Sequence, residues 1–313
     1  MFRRMALGMI LCIQTVLLAG SAFAEECRLA YTAKVHYAPQ ILALRNGWFA
    51  DDKVQVRGLD LGMSAGIAAA EALVSGSADV AVMGDVPAVY ALASARPCVL
   101  IASYGGGEAM HSLVVSEASG IKEPKDLAGR RIGVHFGSST HGAVSHYLKS
   151  HGLLGSAKLV NIKQSSLVEA LISGDIDALA ASEPSPSLAL KKVKGSHHLA
   201  TLGGLGNQYP LMMVASKKYA EAHPEAIRVL VAGTKKAVAF INGDAASAGA
   251  ELGKATGVAA SLEQATLAKL DWKVCLDEDV IKSLEQTADF LHSIGRLKKV
   301  PNVRAAAKPE FVQ

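Results

Sequence analysis

The sequence predicts an α/β fold of two lobes, each built on a mainly parallel sheet, with two strands crossing between the lobes. Apolar residues alternate between strand-like and helix-like spacing along most of the chain, which is typical of parallel sheets covered by helices. Residues 71–79 recur at residues 169–177 with six of nine positions identical. Each copy is predicted to contain the end of a helix, a glycine that terminates it and the start of a strand. The repeat therefore predicts two similar lobes.

The first 24 residues have the features of a secretory signal peptide. Arg3 and Arg4 supply a positive start, Met5 to Leu18 is an apolar run, and Ala22-Phe23-Ala24 has the small–any–small cleavage pattern. We expect cleavage after Ala24 and export of residues 25–313, which in a Gram-negative cell means the periplasm. An uncleaved membrane anchor is the alternative, and the short apolar run disfavours it.

Composition excludes some classes of partner and leaves the state of the thiols open. The net charge of +4 falls to +2 once Arg3 and Arg4 are removed, too small a bias to indicate nucleic-acid binding. Cys27, Cys98 and Cys275 have no metal-finger spacing. A disulfide between Cys27 and Cys98 and buried free thiols are both compatible with the sequence.

Taken in order, the elements alternate along the chain. Strands are predicted at residues 28–35, 54–56, 79–83, 99–104, 111–115, 131–136, 199–202 and 211–215. Helices are predicted at residues 40–45 and 68–74, from residues 85 and 140, after residue 186, and at 217–222, 225–242, 243–256, 261–270 and 278–294. Residues 300–313 are predicted to be an exposed tail.

Two of these strands set the predicted lobe boundaries. The strand at 111–115 would cross into the second lobe, and the strand at 211–215 would return to the first. The first lobe would then hold residues 25–110 and 211–313, including a helical block packed against it. The second lobe would hold residues 111–210.

The stretch from Arg131 to Leu148 contains the strongest candidate for a binding site. A strand leads through Gly137-Ser138-Ser139-Thr140 into a helix that carries His141. Unpaired backbone N–H groups, hydroxyls and the positive end of the helix dipole suit an anionic oxygen cluster. The alternative is that Ser139 or Thr140 only caps the helix.

Both predicted lobes offer similar polar groups at the ends of strands, where ligands bind in open α/β sheets. The 98-residue offset of the repeat pairs Asp85 with Glu183, and His36 and His141 each lie eleven residues before a glycine. Both carboxylates could simply cap helices. If they face a cleft they repel a simple anion, and a zwitterion resolves this conflict. Its acid group would lie on the Ser138–Ser139 or Ser64–Ala65 amides, with its amine near a carboxylate.

The order and spacing of several short motifs resemble those of solute-binding proteins of the sulfonate/taurine/nitrate class of ABC importers. The motifs are Asn46-Gly47-Trp48-Phe49, Glu71-Ala72-Leu73-Val74-Ser75-Gly76, Gly84-Asp85-Val86-Pro87, Pro124-Lys125-Asp126-Leu127, Gly137-Ser138-Ser139 and Glu183-Pro184. The resemblance implies the type II periplasmic-binding-protein fold, with a ligand held between lobes that close by hinge motion. It further implies a monomer without cofactor that delivers its ligand to a permease and its ATPase subunit.

The resemblance also implies a set of ligand-binding residues. They are His36, Tyr37, Met63, Ser64, Ala65, Gly84, Asp85, Gly137, Ser138, Ser139, Thr140, His141 and Glu183. One departure concerns the ligand: Ser182 and Ser185 flank Glu183-Pro184, where members of the class often carry an aromatic residue. A small sulfonate-like or taurine-like compound is expected; nitrate, an aromatic carboxylate and a pyrimidine precursor are the alternatives.

Two other functional classes remain as alternatives. His36, His141, Asp85 and Glu183 have the ligand types of a divalent metal site, although no tight His spacing supports one. The fold also resembles that of thiamine-pyrimidine synthases, whose cysteine-rich cluster is absent from this sequence. Because the sequence has no Walker loop, and the signal peptide argues against cofactor-dependent chemistry, we expect a binding protein and not an enzyme.

Overall fold

A computed structural model describes residues 25–62, 66–204 and 206–313. The predicted signal peptide, residues 1–24, lies outside this range. The strands are β1 (Glu25–Tyr31), β2 (Val54–Asp60), β3 (Val80–Met83), β4 (Cys98–Gly105), β5 (His111–Val115), β6 (Arg131–Val134), β7 (Lys158–Asn161), β8 (Ala178–Ser182), β9 (His197–Thr201) and β10 (Leu211–Ser216). Among the described residues no helix is long and apolar enough to cross a membrane.

Within the described residues the strands form two five-stranded sheets with the same arrangement. The strand order is β2-β1-β3-β10-β4 in the first sheet and β7-β6-β8-β5-β9 in the second. In each sheet, three neighbouring strands are parallel and the fourth runs antiparallel between its two neighbours. The sheets are therefore mixed, but four of the five strands in each run in the same direction, which agrees with the expectation of mainly parallel sheets. The antiparallel strands are β5 and β10, the two strands that follow the crossings between the lobes.

Equivalent ion pairs anchor the two copies of the repeat. Asp79 accepts hydrogen bonds from the backbone N–H and the guanidinium of Arg28, at 2.7 to 3.0 Å. Asp177, at the corresponding position of the second copy, does the same for Arg131. Each aspartate follows a left-handed glycine that ends a helix, Gly76 or Gly174. The repeat thus fixes how β3 joins β1 in the first sheet and how β8 joins β6 in the second.

Helices cover both sheets. They are α1 (Ala38–Arg45), α2 (Ile67–Ser75), α3 (Asp85–Leu92), α4 (Ser139–Ser150), α5 (Leu167–Ser173), α6 (Ser185–Lys192), α7 (Lys217–Ala222), α8 (Pro224–Gly243), α9 (Ala245–Thr256), α10 (Ala260–Leu267), α11 (Glu278–Ser293) and α12 (Val303–Ala306). Helix α8 packs on α1 and the first sheet, while α11 packs on α3 and also reaches α4. The lobe boundaries drawn from the sequence remain a prediction.

The three cysteines in the described part of the chain, Cys27, Cys98 and Cys275, are free thiols. Cys27 in β1 and Cys98 in β4 are both buried in the first sheet. Burial raises the pKa of the Cys98 thiol to about 11. No disulfide joins them, so the free-thiol alternative describes this structure.

The C-terminal segment is packed against the first lobe, and the prediction of an exposed tail is wrong. The Lys308 backbone N–H donates to the carbonyl of Leu100 in the edge strand β4, at 2.9 Å. Val303 and Phe311 are buried in the core. This segment lacks a long periodic pattern because it packs through one short helix and one 3-10 turn. It covers an edge strand that would otherwise expose unpaired backbone groups.

Replacing Phe311 tests the packing of this segment. Phe311→Ala should lower the free energy of unfolding by about 3 kcal/mol, because it removes a buried aromatic ring from the core. Val300→Ala, at an exposed site in the same part of the chain, should change it by less than about 0.5 kcal/mol. Urea denaturation measures both, and equal effects of the two variants would contradict the packed arrangement.

Candidate functional site

A small polar cavity of about 30 Å³ lies between the two lobes. Four helices begin at its wall, since Tyr37, Gly66, Gly84 and Ser138 are the residues that precede α1, α2, α3 and α4. The first three helices belong to the first lobe and the fourth to the second. The remaining lining residues are Lys34, His36, Pro87, Met110, His111, Ser139, Thr140, Gln164, Ser182 and Leu211.

The helix starts give this cavity a positive potential. No side chain caps the first turn of α1 or of α3. In α4 the Ser138 hydroxyl caps the helix by accepting from the His141 backbone N–H at 3.2 Å. Free N–H groups and dipole ends of this kind favour an anion.

Lys34 adds a full positive charge. Its side chain is buried, with the residue only 4% exposed, and its Nζ donates to the Ser182 hydroxyl of the other lobe at 2.8 Å. Burial lowers the pKa of Lys34 to about 8, an effect partly opposed by the field of Glu183. Among the described residues no carboxylate forms an ion pair with Lys34. At neutral pH the cavity therefore holds an ammonium group without a counter-ion.

Two histidines beside Lys34 are neutral hydrogen-bonding groups. Burial, reinforced by the charge of Lys34, lowers the pKa of His111 to about 3 and that of His36 well below its usual value. His111 Nδ1 lies 2.9 Å from the Thr140 hydroxyl. When Thr140 donates this bond, His111 Nε2 carries the ring hydrogen.

Several polar atoms around the cavity are buried and lack a hydrogen-bond partner among the described residues. They include His36 Nδ1, His111 Nε2 and Ser139 Oγ. Unpaired buried polar groups are costly, and their presence together indicates that a ligand completes them. An anionic oxygen cluster would accept from the ammonium, the hydroxyl and the ring N–H groups at once.

Two glycines allow the lobes to meet closely at this point. A Cβ atom at Gly84 would overlap with the Ser139 hydroxyl of the opposite lobe, and a Cβ at Gly142 would lie 2.8 Å from Val86 Cγ2. The starts of α3 and α4 thus touch across the lobe boundary. Side chains at either glycine would hold the helix starts apart and widen the cavity.

The structure brings some of the sequence-predicted residues together and separates others. His36, Tyr37, Gly84, Ser138, Ser139 and Thr140 line the cavity. The role of the helix cap falls to Ser138, whereas the sequence suggested Ser139 or Thr140. Because Ser138 is the cap, the Ser139 hydroxyl is not used in capping, and it lies beside Asp85, where its hydrogen bonding opposes the rise in the pKa of Asp85 that burial causes.

Four predicted residues lie outside the cavity wall. The His141 ring stacks on Phe136 at 4.4 Å, and its Nδ1 accepts from the Gly137 N–H. Gly137 borders an apolar groove next to α2 and α3. The Glu183 carboxylate accepts from Lys269 Nζ at 2.6 Å and from Ser187. Asp85 faces a separate, larger pocket.

The predicted residues Met63, Ser64 and Ala65 lie outside the described part of the chain. The alternative metal site also finds no support, since the described residues contain no group of three or more His, Cys, Asp or Glu placed to hold a metal.

Sequence reasoning missed four polar residues of the cavity: Lys34, His111, Gln164 and Ser182. Gln164 is buried and its Nε2 donates to the Ser182 carbonyl at 3.0 Å. The available signal was a polar residue at the end of an apolar strand. Lys34 follows β1, His111 begins β5 and Ser182 ends β8, and ligands bind at such strand ends.

Comparisons with known proteins agree with this geometry. A family model described as NMT1/THI5 like matches residues 34–248. The taurine-binding periplasmic protein of Escherichia coli (strain K12) is 30% identical over 226 residues, which cover 69% of this chain and 68% of that protein. The name of this relative describes a binding protein.

Two solved structures share the fold. The alkanesulfonate-binding protein SsuA from Xanthomonas axonopodis pv. citri, bound to MOPS, matches with a TM-score of 0.81 and 23% identity, over 91% of this chain and 99% of that one. The periplasmic aliphatic sulphonate binding protein SsuA from Escherichia coli matches with a TM-score of 0.79 and 24% identity, over 90% and 97%. The two-lobed periplasmic-binding-protein fold predicted from the sequence is confirmed.

Replacing Lys34 should stabilise the empty protein. The pKa of Lys34 is about 8 in the folded chain, whereas a lysine in water has a pKa of 10.5, so below pH 8 its charge costs folding on the order of 3 kcal/mol. Lys34→Met removes this cost, and we expect unfolding at pH 7 to require about 1–3 kcal/mol more. The difference from the wild type should shrink as pH rises from 8 towards 10.5, because the wild-type lysine is then neutral when folded.

Urea denaturation at pH 7 and pH 10 measures this difference. Lys192→Met, at an exposed lysine, is the control and should leave stability within about 0.5 kcal/mol. A Lys34→Met protein that is less stable than the wild type at pH 7 would show that the ammonium supports the empty fold.

Proposed function

This chain belongs to the NMT1/THI5-like family, and we propose that it is the solute-binding component of an ABC importer that captures a small organic sulfonate between its lobes. It is exported to the periplasm, loses its leader after Ala24 and acts as a monomer. It passes the ligand unchanged to a permease and its ATPase subunit. The named specificities of its relatives support the proposal, and the chemistry of the cavity supports it independently.

The buried ammonium of Lys34 is the observation that carries the proposal. A buried charge without a partner is unfavourable, and binding of an anion converts that cost into affinity. The helix starts and the unpartnered groups of His36, His111 and Ser139 surround the same space. A sulfonate has three oxygens that share one negative charge, so it can accept from several of these donors together.

Residues from both lobes form the cavity wall, so the complete donor set exists only when the lobes are closed. Lys34 and His36 come from the first lobe, whereas His111, Ser139 and Thr140 come from the second. An anion that bonds to both sets stabilises the closed form relative to an open one. A closed, loaded form is the state that a permease can distinguish from the empty protein.

Ser139→Ala tests the binding site directly. Titration calorimetry with taurine should show one binding site in the wild type, and a dissociation constant raised about 10- to 100-fold in Ser139→Ala, since one hydrogen bond to a charged group is lost. Ser150→Ala, at the exposed end of the same helix, should stay within about twofold of the wild type. The melting temperatures of the unliganded variants should differ little, because Ser139 Oγ makes no hydrogen bond of normal length to the described residues.

Other results would count against the proposal. Equal loss of affinity in Ser139→Ala and Ser150→Ala would place the ligand elsewhere. Tighter binding of nitrate than of any sulfonate would replace the proposed ligand class. If chromatography showed that more than one equivalent of taurine is converted per protein molecule, the protein would be an enzyme.

The affinity for a sulfonate should depend on pH through Lys34. If the anion requires the protonated amine, and the pKa of the free protein's Lys34 is about 8, the affinity is constant well below pH 8. It should fall about tenfold for each pH unit above 8. Propane-1-sulfonate is the suitable probe, since it does not titrate itself.

Calorimetry between pH 6.5 and 10 measures this profile. Lys192→Met should reproduce the wild-type curve, because that lysine is exposed and lies outside the cavity. An affinity that stays constant from pH 7 to pH 10 would mean that the ammonium does not contact the ligand.

A further inference from the structure

His111 is a buried histidine in the cavity wall, and its two ring nitrogens have different surroundings. The residue is 2% exposed and begins β5. Its Nδ1 lies 2.9 Å from the Thr140 hydroxyl, whereas its Nε2 is buried and has no hydrogen-bond partner among the described residues. Because burial lowers the pKa of His111 to about 3, the ring is neutral at pH 6 and above. A neutral imidazole has one donor and one acceptor nitrogen, so the role of Nε2 depends on which nitrogen carries the hydrogen.

The surroundings of Thr140 determine which nitrogen carries it. Thr140 is 3% exposed, and among the described residues its hydroxyl bonds only to His111. If Thr140 donates to Nδ1, one buried group stays unpaired in the unliganded protein, the Nε2–H. If Nδ1 donates to Thr140 instead, two stay unpaired, the threonine hydrogen and the Nε2 lone pair. Since each unpaired buried polar group is costly, the arrangement in which Thr140 donates is the more stable one.

The neighbouring side chains also hold the orientation of the ring. Tyr209 packs edge-on against His111, with 4.9 Å between the ring centroids and 85° between the planes. The Tyr209 hydroxyl is itself fixed, because it donates to the carbonyl of Leu202 at 2.6 Å. A turn of the imidazole that exchanged its nitrogens would break the bond to Thr140 and disturb this packing. Nε2 is therefore the ring nitrogen that is available to a ligand in the cavity.

This N–H lies in a part of the cavity wall that already contains a strong donor. His111 and Ser182 are paired across β5 and β8, and the Ser182 hydroxyl accepts from Lys34 Nζ at 2.8 Å. A sulfonate has no hydrogen on its oxygens and can accept from both groups. A phosphonate that retains one proton has the same charge and shape, but its hydroxyl needs an acceptor. A His111 ring fixed with its hydrogen on Nε2 offers none.

We propose that Thr140 is a positioning residue that acts through His111: it donates to Nδ1, fixes Nε2–H as a donor to the anion, and so makes the cavity select a fully ionised sulfonate over a protonated phosphonate. This inference rests on the proposed function and adds the residue pair that sets its specificity. Thr140 then serves the ligand without touching it. Discrimination of this kind depends on the unpaired hydrogen that the wrong ligand would bury.

Propane-1-sulfonate and propane-1-phosphonate at pH 6 separate the two ligand types, since the phosphonate then retains one proton and both carry a single negative charge. In calorimetry the wild type should bind the sulfonate at least about tenfold more tightly. In Thr140→Val this ratio should fall to about threefold or less, because the released ring can present a lone pair at Nε2. Thr140→Ser retains the hydroxyl and should keep the wild-type ratio.

The chain offers a matched control for the loss of a threonine hydroxyl beside a histidine. The Thr201 hydroxyl lies 3.4 Å from His198 Nε2, and both residues are exposed on the edge strand β9. Thr201→Val should therefore keep the wild-type ratio of affinities.

Nitrogen-15 NMR of histidine-labelled protein measures the position of the hydrogen directly. The His111 signals, identified by their absence in His111→Gln, should show the hydrogen on Nε2 in the unliganded wild type and in Thr140→Ser. In Thr140→Val they should show a mixture of the two tautomers. A hydrogen on Nδ1 in the wild type would overturn the proposal, and this measurement needs no variant of Thr140 to fold.

The binding data decide the remaining points. A wild type that binds both ligands equally would show that another group, such as His36, accepts the phosphonate hydrogen, and would overturn the selectivity while leaving the sulfonate receptor intact. An undiminished ratio in Thr140→Val would overturn the role of Thr140. Failure of any sulfonate to bind would overturn the proposed function, whereas the NMR result would still decide how Thr140 and His111 are bonded.

Discussion

The structure depends above all on a buried ammonium group at the boundary between two lobes. Lys34 is buried shortly after β1, and among the described residues its ammonium donates only to the neutral Ser182 hydroxyl of the opposite lobe. The charge is unfavourable while it stays alone, and its neighbours cannot offset it because burial keeps His36 and His111 uncharged. The rest of the site follows from this constraint. Helix starts, free hydroxyls and ring N–H groups are all donors, and the missing component is an acceptor.

A buried carboxyl group lies a short distance away. Asp85 accepts from the Thr287 hydroxyl and from Asn207. Burial raises the pKa of Asp85, and hydrogen bonding with Ser139, Thr287 and Asn207 opposes this rise. Its partners among the described residues are neutral, so Asp85 joins the start of α3 to α11 and to the segment before β10 through hydrogen bonds and not through an ion pair.

The sequence was sufficient to predict the architecture because the architecture is repeated. The copy of residues 71–79 at 169–177 marks the same helix end and strand start in both sheets, and the structure gives the two sheets matching parallel parts, β2-β1-β3 and β7-β6-β8. The polar strand β7 escaped notice because it is short and only half-buried. The C-terminal segment was misjudged for a related reason: its contacts are with residues far away in the chain, such as Leu100.

The site was predictable in outline and not in detail. Position along the chain identified the helix starts at Gly84 and Ser139, since strand–turn–helix junctions leave backbone donors free. It could not show that Lys269 neutralises Glu183 from 86 residues away, nor which serine serves as the cap. A single lysine after a strand is also indistinguishable, in sequence, from a surface lysine. Lys34 became recognisable only when its burial was known.

The path of the chain through the two sheets has a consequence for how the protein assembles. The second sheet is built from one continuous stretch, from β5 to β9, whereas the first sheet lacks its fourth strand until β10 arrives. Until β10 has been synthesised, the buried strands β3 and β4 therefore each have one edge whose backbone groups lack the hydrogen bonds that β10 supplies. A polypeptide that emerges N-terminus first would therefore complete its second sheet before its first. During that interval the unpaired edges of β3 and β4 are the part of the molecule that most needs a chaperone.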